Sequence, residues 1–333
     1  MSLYNCKPKE TPPEIPDFTT GYKDVKLPDV TQTTPVAVTS TPGSITASTT
    51  ATTVSSDLSA AQVTTVVTTT ASDVQKVVTP TDAGKLATAF TPAVVNTMLS
   101  GGAIPADLSA SMKAIAANPA LASYLPKVTN PSVNGIVVSG LVKEIPPSSK
   151  DIDDPVIALP DFDVADVTAS PCIEAAQVAY DAARKALDAN KVAQEKIVND
   201  TYATRIAGIS SATCKTTATA ALTVAATAAK TKLDQQLAGL NTLLTNKTIS
   251  QDMYNLLSFF VYFDLYNSVV AATGFYSATV KACDVIADAA MAAAKTAQTT
   301  DLAKIKAAYD ATLASMQTTY NNSIKTCHDQ GQG

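Results

Sequence analysis

The chain has 333 residues, 5% aromatics, no tryptophan, 16% charged residues and a formal net charge of -5. Much of its 46% hydrophobic content is alanine, and a compact core draws its burial energy from large apolar side chains; this composition argues against two ordinary compact domains and favours close helix–helix contact or extended structure. The charge balance excludes the basic footprint of a nucleic-acid binder.

From the N-terminus, "MSLYNCKPKETPPEIP" lacks an apolar stretch of signal-peptide length, and neither end fits a lipidation motif. No Sec signal is therefore expected. Residues 1–56 carry Pro8, Pro12, Pro13, Pro16, Pro28, Pro35 and Pro42, followed by a Thr/Ser-rich tract. Proline fixes φ and pushes the residue before it to extended backbone. This stretch reads as an extended, Pro/Thr-rich anchoring arm with no core of its own, ordered only where it lies on another surface.

Residues 57–150 read as a small mixed, largely helical region. The β-branched run Thr64–Val78 fits a strand or a poor helix equally well, because periodicity does not separate them. Beyond it, Thr91-Pro92 supplies an N-cap with proline at the first helical position, and Gly101-Gly102 supplies a stop. Pro105 and Asp107 open a further segment that ends at Pro119. "VNGIVVSGLV" from Val133 reads as a short strand or hairpin turning at Asn134-Gly135. Residues 151–169 form an acidic linker; Asp151, Asp153 and Asp154 with Asp161, Asp163 and Asp166 lack the glycine and distal glutamate of a calcium loop, so a solvated linker is expected there.

From Ser170 the pattern changes. Ser170 is an N-cap, Pro171 occupies the first helical position, and Glu174 complements the dipole in the first turn. No proline follows before "TNKTIS" (245–250), after which Ser250 opens a second proline-free stretch running to about Cys327. Two helices of about 75 residues, each about 110 Å long, are predicted. Along the second, Leu302, Ile305, Tyr309, Leu313, Met316, Tyr320, Ile324 and Cys327 follow spacings of three and four that sum to an eleven-residue repeat. The phase extends back to Val261 with breaks at Gln298 and Ser258. Leu222, Ala226, Ala229, Leu233, Leu237, Leu240 and Leu244 repeat the pattern on the first helix, and the stripe weakens upstream of Cys214. Such a repeat gives a nearly straight or slightly right-handed pair rather than a left-handed coiled coil. The fold class that follows is mainly α: a long antiparallel helical hairpin over residues 170–328, a tail at 329–333, and the arm and mixed region in front.

The cysteines test the fold-back. Facing residues of an antiparallel pair have a constant sum of sequence numbers; Cys172 and Cys327 total 499, and Cys214 and Cys283 total 497. Both midpoints fall in the turn that the capping signals locate independently. Two cross-helix disulfides, 172–327 and 214–283, are expected, the alternative being four free cysteines buried on an alanine-rich interface. Cys6 is left over, either free or paired between chains. With no C-x-x-C and one histidine, His328, in a polar tail, neither a metal site nor a histidine-dependent nucleophile is expected. No phosphate-binding loop or dinucleotide fingerprint is present. Neither a cofactor nor a catalytic residue is assigned.

Eight of the eighteen aromatics fall between Tyr254 and Tyr276. Phe259, Phe260, Tyr262 and Phe263 cannot all face the first helix, so the N-terminal regions of the chain, another subunit or lipid must cover them; cover by protein is expected, with these four as the partner-contact residues. The window 253–280 holds a single charge, Asp264, and is long enough to span a bilayer, although its Asn, Ser, Thr and Tyr favour a buried helix. Disulfides, rare in the cytosol, an extended arm and a clamped hairpin together suggest a non-enzymatic structural protein. A minor virion (capsid-associated) or surface-appendage component is expected, binding other structural subunits of one assembly or its own copies, in a virion or extracellular setting. The competing reading is a membrane-active helical protein of pore-forming or translocator type, inserting 253–280.

Overall fold

A computed structural model describes residues 14–139 and 170–329. In chain order it contains β1 (Ser40–Thr41), β2 (Ser44–Thr46), α1 (Thr49–Ser59), α2 (Thr65–Gln75), α3 (Pro80–Ala89), α4 (Pro92–Leu99), α5 (Ala106–Ala116), β3 (Lys127–Thr129), β4 (Ser132–Val133), β5 (Ile136–Val137), α6 (Pro171–Ala207), α7 (Ala212–Thr245) and α8 (Gln251–Asp329), with short 3-10 turns at Phe18–Tyr22 and Pro119–Tyr124. The protein is mainly α, its two long helical limbs reversing at residues 246–250. The first limb is interrupted at 208–211, where Gly208 caps α6, just upstream of Cys214.

The chain forms two compact units. One comprises residues 14–37, 170–209 and 290–329; the other comprises 38–139 and 210–289. The division cuts across the hairpin that the sequence delimits as one domain, so each unit takes part of both limbs.

In the first unit, Ser170 Oγ accepts the Ile173 N–H, with Pro171 and Glu174 in the first turn of α6 as the sequence implies. Tyr180, Leu187 and Val198 of α6 meet Ile305 and Met316 of α8. Every residue of the stripe from Leu302 to Cys327 is buried or half-buried, which is what a repeat of about 3.67 residues per turn requires of a straight face. The break in the stripe at Gln298 is a buried polar contact: its amide donates to Asn199 Oδ1 at 2.7 Å.

The second unit wraps α1–α5 around α7 and the N-terminal part of α8. Val54, Leu58, Val67, Val74, Met98 and Met112 join Leu240, Leu257, Phe259, Phe260 and Phe263 in one core. The ambiguous run from Thr64 is helix α2, capped by Thr64. Val67, Thr70, Ala71 and Val74 lie on its buried face at helical spacing, and Thr70 Oγ1 donates to the Val66 carbonyl; burial of that face overrides the strand preference of valine and threonine. Helix α1 starts at Thr49, so regular structure begins before the end of the Pro/Thr-rich tract. Thr91 caps α4 with Pro92 following it, as its sequence implies. Asn134 and Gly135 turn the β4–β5 hairpin with φ of 50° and 78°, the left-handed pair that a two-residue type I′ turn needs. β1 pairs with β4 and β2 with β3, all antiparallel.

Candidate functional site

Three places in the fold carry more than routine packing. The first is a strap in the first unit. Residues 23–37 contain no helix or strand, yet Leu27 is buried, and Val25 and Val30 pack against the α6–α8 core beside it. Proline-rich backbone cannot satisfy itself through a helical ladder, so helix side chains supply the partners. Gln194 of α6 donates to the Pro28 carbonyl at 3.1 Å, and Thr201 accepts from Gln32 at 2.7 Å. Asp301 of α8 is 1% exposed. Its carboxylate accepts the Thr33 N–H at 2.8 Å and the Thr33 hydroxyl at 2.5 Å, and Lys304 reaches both Asp301 and Thr33.

Burial works to raise the Asp301 pKa, but the hydrogen bonds from Thr33 and the Lys304 ammonium outweigh it and hold the carboxyl below the ordinary aspartate value. The sign for stability follows from that direction. Asp301 contributes in full above the unfolded-state value of about 4 and loses its contribution as pH falls through the lower folded-state value. Asp301→Asn should free the strap at neutral pH at a cost of roughly 1.5–3 kcal/mol, the range for hydrogen bonds to charged groups, and should remove this part of the acid dependence. Limited proteolysis of residues 23–37 across a pH series reads both effects; unchanged cleavage in the variant would show that the carboxylate does not hold the strap.

The second place is the pair of disulfides, Cys172–Cys327 and Cys214–Cys283, each with Cα atoms 5.8 Å apart. They join the residues that the constant-sum argument pairs. Cys172 and Cys327 are both fully buried, whereas Cys214 is exposed above a buried Cys283. The inner bond spans 69 residues, worth about 4 kcal/mol in the chain-entropy account. Cys6 and the acidic stretch 151–169 lie outside the described residues.

The third is a groove in the second unit between the N-terminal half of α7 and α8. Two adjoining voids of about 240 and 450 Å³ share Ile45, Leu222, Ala225 and Ala272 in their walls. Across this stretch α7 is held mainly at a few points: Cys214–Cys283, a 2.6 Å ion pair from Lys215 to Asp284, and the Thr219–Tyr276 hydroxyl contact at 3.3 Å. Hydrogen bonds from Lys215 and from the Ser211 hydroxyl lower the Asp284 pKa.

Of the four aromatic residues expected to meet a partner, three are interior and Tyr262 is half-buried. Phe259, Phe260 and Phe263 are at most 1% exposed. The Phe260 ring meets Tyr124 edge-on at 5.3 Å, and Tyr262 stacks on Phe90 at 5.0 Å. The α1–α5 region of the same chain covers them, because a helix that is apolar on more than one face must be enclosed. Asp264, the lone charge of that window, is paired with Lys232 at 2.8 Å. Among the described residues, α8 alone contains a window apolar enough to cross a membrane, and 56% of that window is buried within the protein.

His328 is exposed, and its neighbour Cys327 is committed to a disulfide. Among the described residues no group of three or more His, Cys, Asp or Glu side chains is placed to hold a metal ion. The strap anchors Gln194, Thr201 and Asp301 were not legible in the sequence: single polar residues on a long helix resemble solvated ones, and the only hint was an unpaired, proline-rich segment that needed partners. No protein-family model, curated protein or solved structure matches the chain.

Proposed function

We propose that this protein is a non-enzymatic structural component of a larger assembly. The strap carries the reading. An extended segment that takes its hydrogen bonds and its burial from helix surfaces is how one chain is fastened along another, and here residues 23–37 use that chemistry on α6 and α8. The two disulfides favour an assembly formed or kept under oxidising conditions. Within that class the assignment is a minor capsid-associated protein of a virion or a component of a surface appendage, whose partners are other structural subunits or further copies of this chain.

The test is native isolation from the source without reductant, followed by sizing and cross-linking mass spectrometry. The expected result is a particle of defined stoichiometry in which cross-links run from this chain to a structural subunit. A chain recovered as a free monomer, with no cross-link to another subunit, would overturn the proposal. The apolar window in α8 motivates the membrane-active reading. Insertion would require withdrawing Phe259, Phe260 and Phe263 from the core, at roughly 1.5–3 kcal/mol for each large side chain exposed on the way. Rapid dye release from liposomes by the purified protein would favour that reading over assembly.

A further inference from the structure

We propose that Cys214–Cys283 is a thiol-addressable latch, whose reduction releases the N-terminal half of α7 from α8 and opens the groove beneath it, while Cys172–Cys327 remains closed. The inference is independent of the assembly reading and rests on the contrast between two bonds in one chain.

Thiol–disulfide exchange needs a thiolate to reach a sulfur atom. Cys172 and Cys327 are both 0% exposed, in a stretch where Ala176, Ala179 and Tyr180 are also buried and Ser170 caps the helix. Cys214 stands in the first turn of α7 and is exposed. Ser211, the N-cap residue of that helix, makes no side-chain capping bond to it. Access therefore separates the two bonds by position alone.

What the bond holds is equally uneven. Between residues 212 and 229 only Ala218 of α7 is buried, whereas Leu233, Gln236, Gly239, Leu240 and Leu243 are buried further along the same helix. The voids of about 240 and 450 Å³ lie against the first stretch, so its walls lack the dispersion contacts that a packed interface supplies. The sequence adds a second weakness. Thr216, Thr217, Thr219, Thr223 and Thr227 each turn their hydroxyl back to a carbonyl of the preceding turn. Such residues are middling helix formers, and this back-bonding slightly destabilises the helix. Without the cross-link, the ion pair Lys215–Asp284, with both side chains well exposed, is one of the few remaining tethers, and an exposed pair contributes little.

The chemistry balances with a low-molecular-weight thiol as the reductant. Its thiolate attacks Cys214 Sγ, the Cys214–Cys283 bond breaks, and Cys283 leaves as a thiolate that takes a proton from water. A second reductant thiolate attacks the small-molecule sulfur of the mixed disulfide, releasing Cys214 as a thiol and the oxidised reductant. Two electrons pass from two reductant thiols to one cystine.

The experiment treats the oxidised full chain with graded reduced glutathione. Free thiols are trapped by alkylation and mapped by mass spectrometry, and hydrogen exchange is followed on the same samples. Cys214 and Cys283 should become alkylated at least about tenfold faster than Cys172 and Cys327, because accessible sulfurs exchange faster. In the same samples, amides 212–229 should gain about tenfold in exchange rate while 233–243 keep their protection, as expected of a local opening. The doubly substituted Cys214→Ser/Cys283→Ser chain should show the fast exchange without reductant. Equal alkylation of both pairs, or reduction of 214–283 without faster exchange in 212–229, overturns the proposal. Should the substituted chain fail to fold, the reduced wild-type protein still gives that reading.

Discussion

Replacing Gly239 with alanine should destabilise the second unit by about 3 kcal/mol, the upper end for overpacking a core, although the same change stabilises an isolated helix by about 1 kcal/mol. Gly239 lies inside α7, where glycine carries an entropic penalty relative to alanine. It is there because α1 crosses at that point: a Cβ at position 239 would run into the Leu58 carbonyl oxygen and stand 2.8 Å from its carbon. Those atoms are backbone, so no rotamer change relieves the clash and α1 must move. Leu58 is itself fully buried, so its displacement opens the core around it. Urea unfolding monitored by far-UV circular dichroism is the measurement. A Gly239→Ala protein as stable as the parent would show that α1 is not seated on α7 as described.

The second large effect is expected at Phe260. Phe260→Ala should cost about 3–5 kcal/mol, the range for deleting a buried phenylalanine ring and leaving a cavity. The ring is 0% exposed and meets Tyr124, which in turn donates to Asp73 at 2.9 Å. Losing it therefore loosens the contact between α8, the turn at Pro119–Tyr124 and α2. The control is Val270→Ala on the same helix, where the side chain is 49% exposed and a change within about 0.5 kcal/mol is expected. Had Phe260 been a partner-facing residue, its truncation would lower association and leave the isolated chain stable. Comparing the unfolding midpoints of the two variants decides between these readings.

Elements whose information is local or strictly periodic are legible in the residues alone. Ser170-Pro171 and Thr91-Pro92 fixed two helix starts through capping and the proline ring, and Asn134-Gly135 fixed a turn because those residues accept positive φ. The stripe from Leu302 to Cys327 defined the inner face of α8, and the constant sum of the cysteine numbers placed the reversal of the chain. All of these depend on residue identity and spacing along the chain. The remaining features follow from contacts between distant segments. Whether Thr64–Val78 became strand or helix depended on which face found a core, since valine and threonine suit both. Phe259, Phe260 and Phe263 became interior because α1–α5 of the same chain fold over them, a relation between segments distant in the chain that no local pattern encodes. The break at Gly208–Ser211 and the division into two units, in which each part of the helical limbs packs with a different set of neighbours, do not follow from the periodicity. Asp301 carries no local mark that sets it apart from the other polar residues of a long helix; it is a buried anchor because a proline-containing segment, unable to satisfy its own backbone, lies across it.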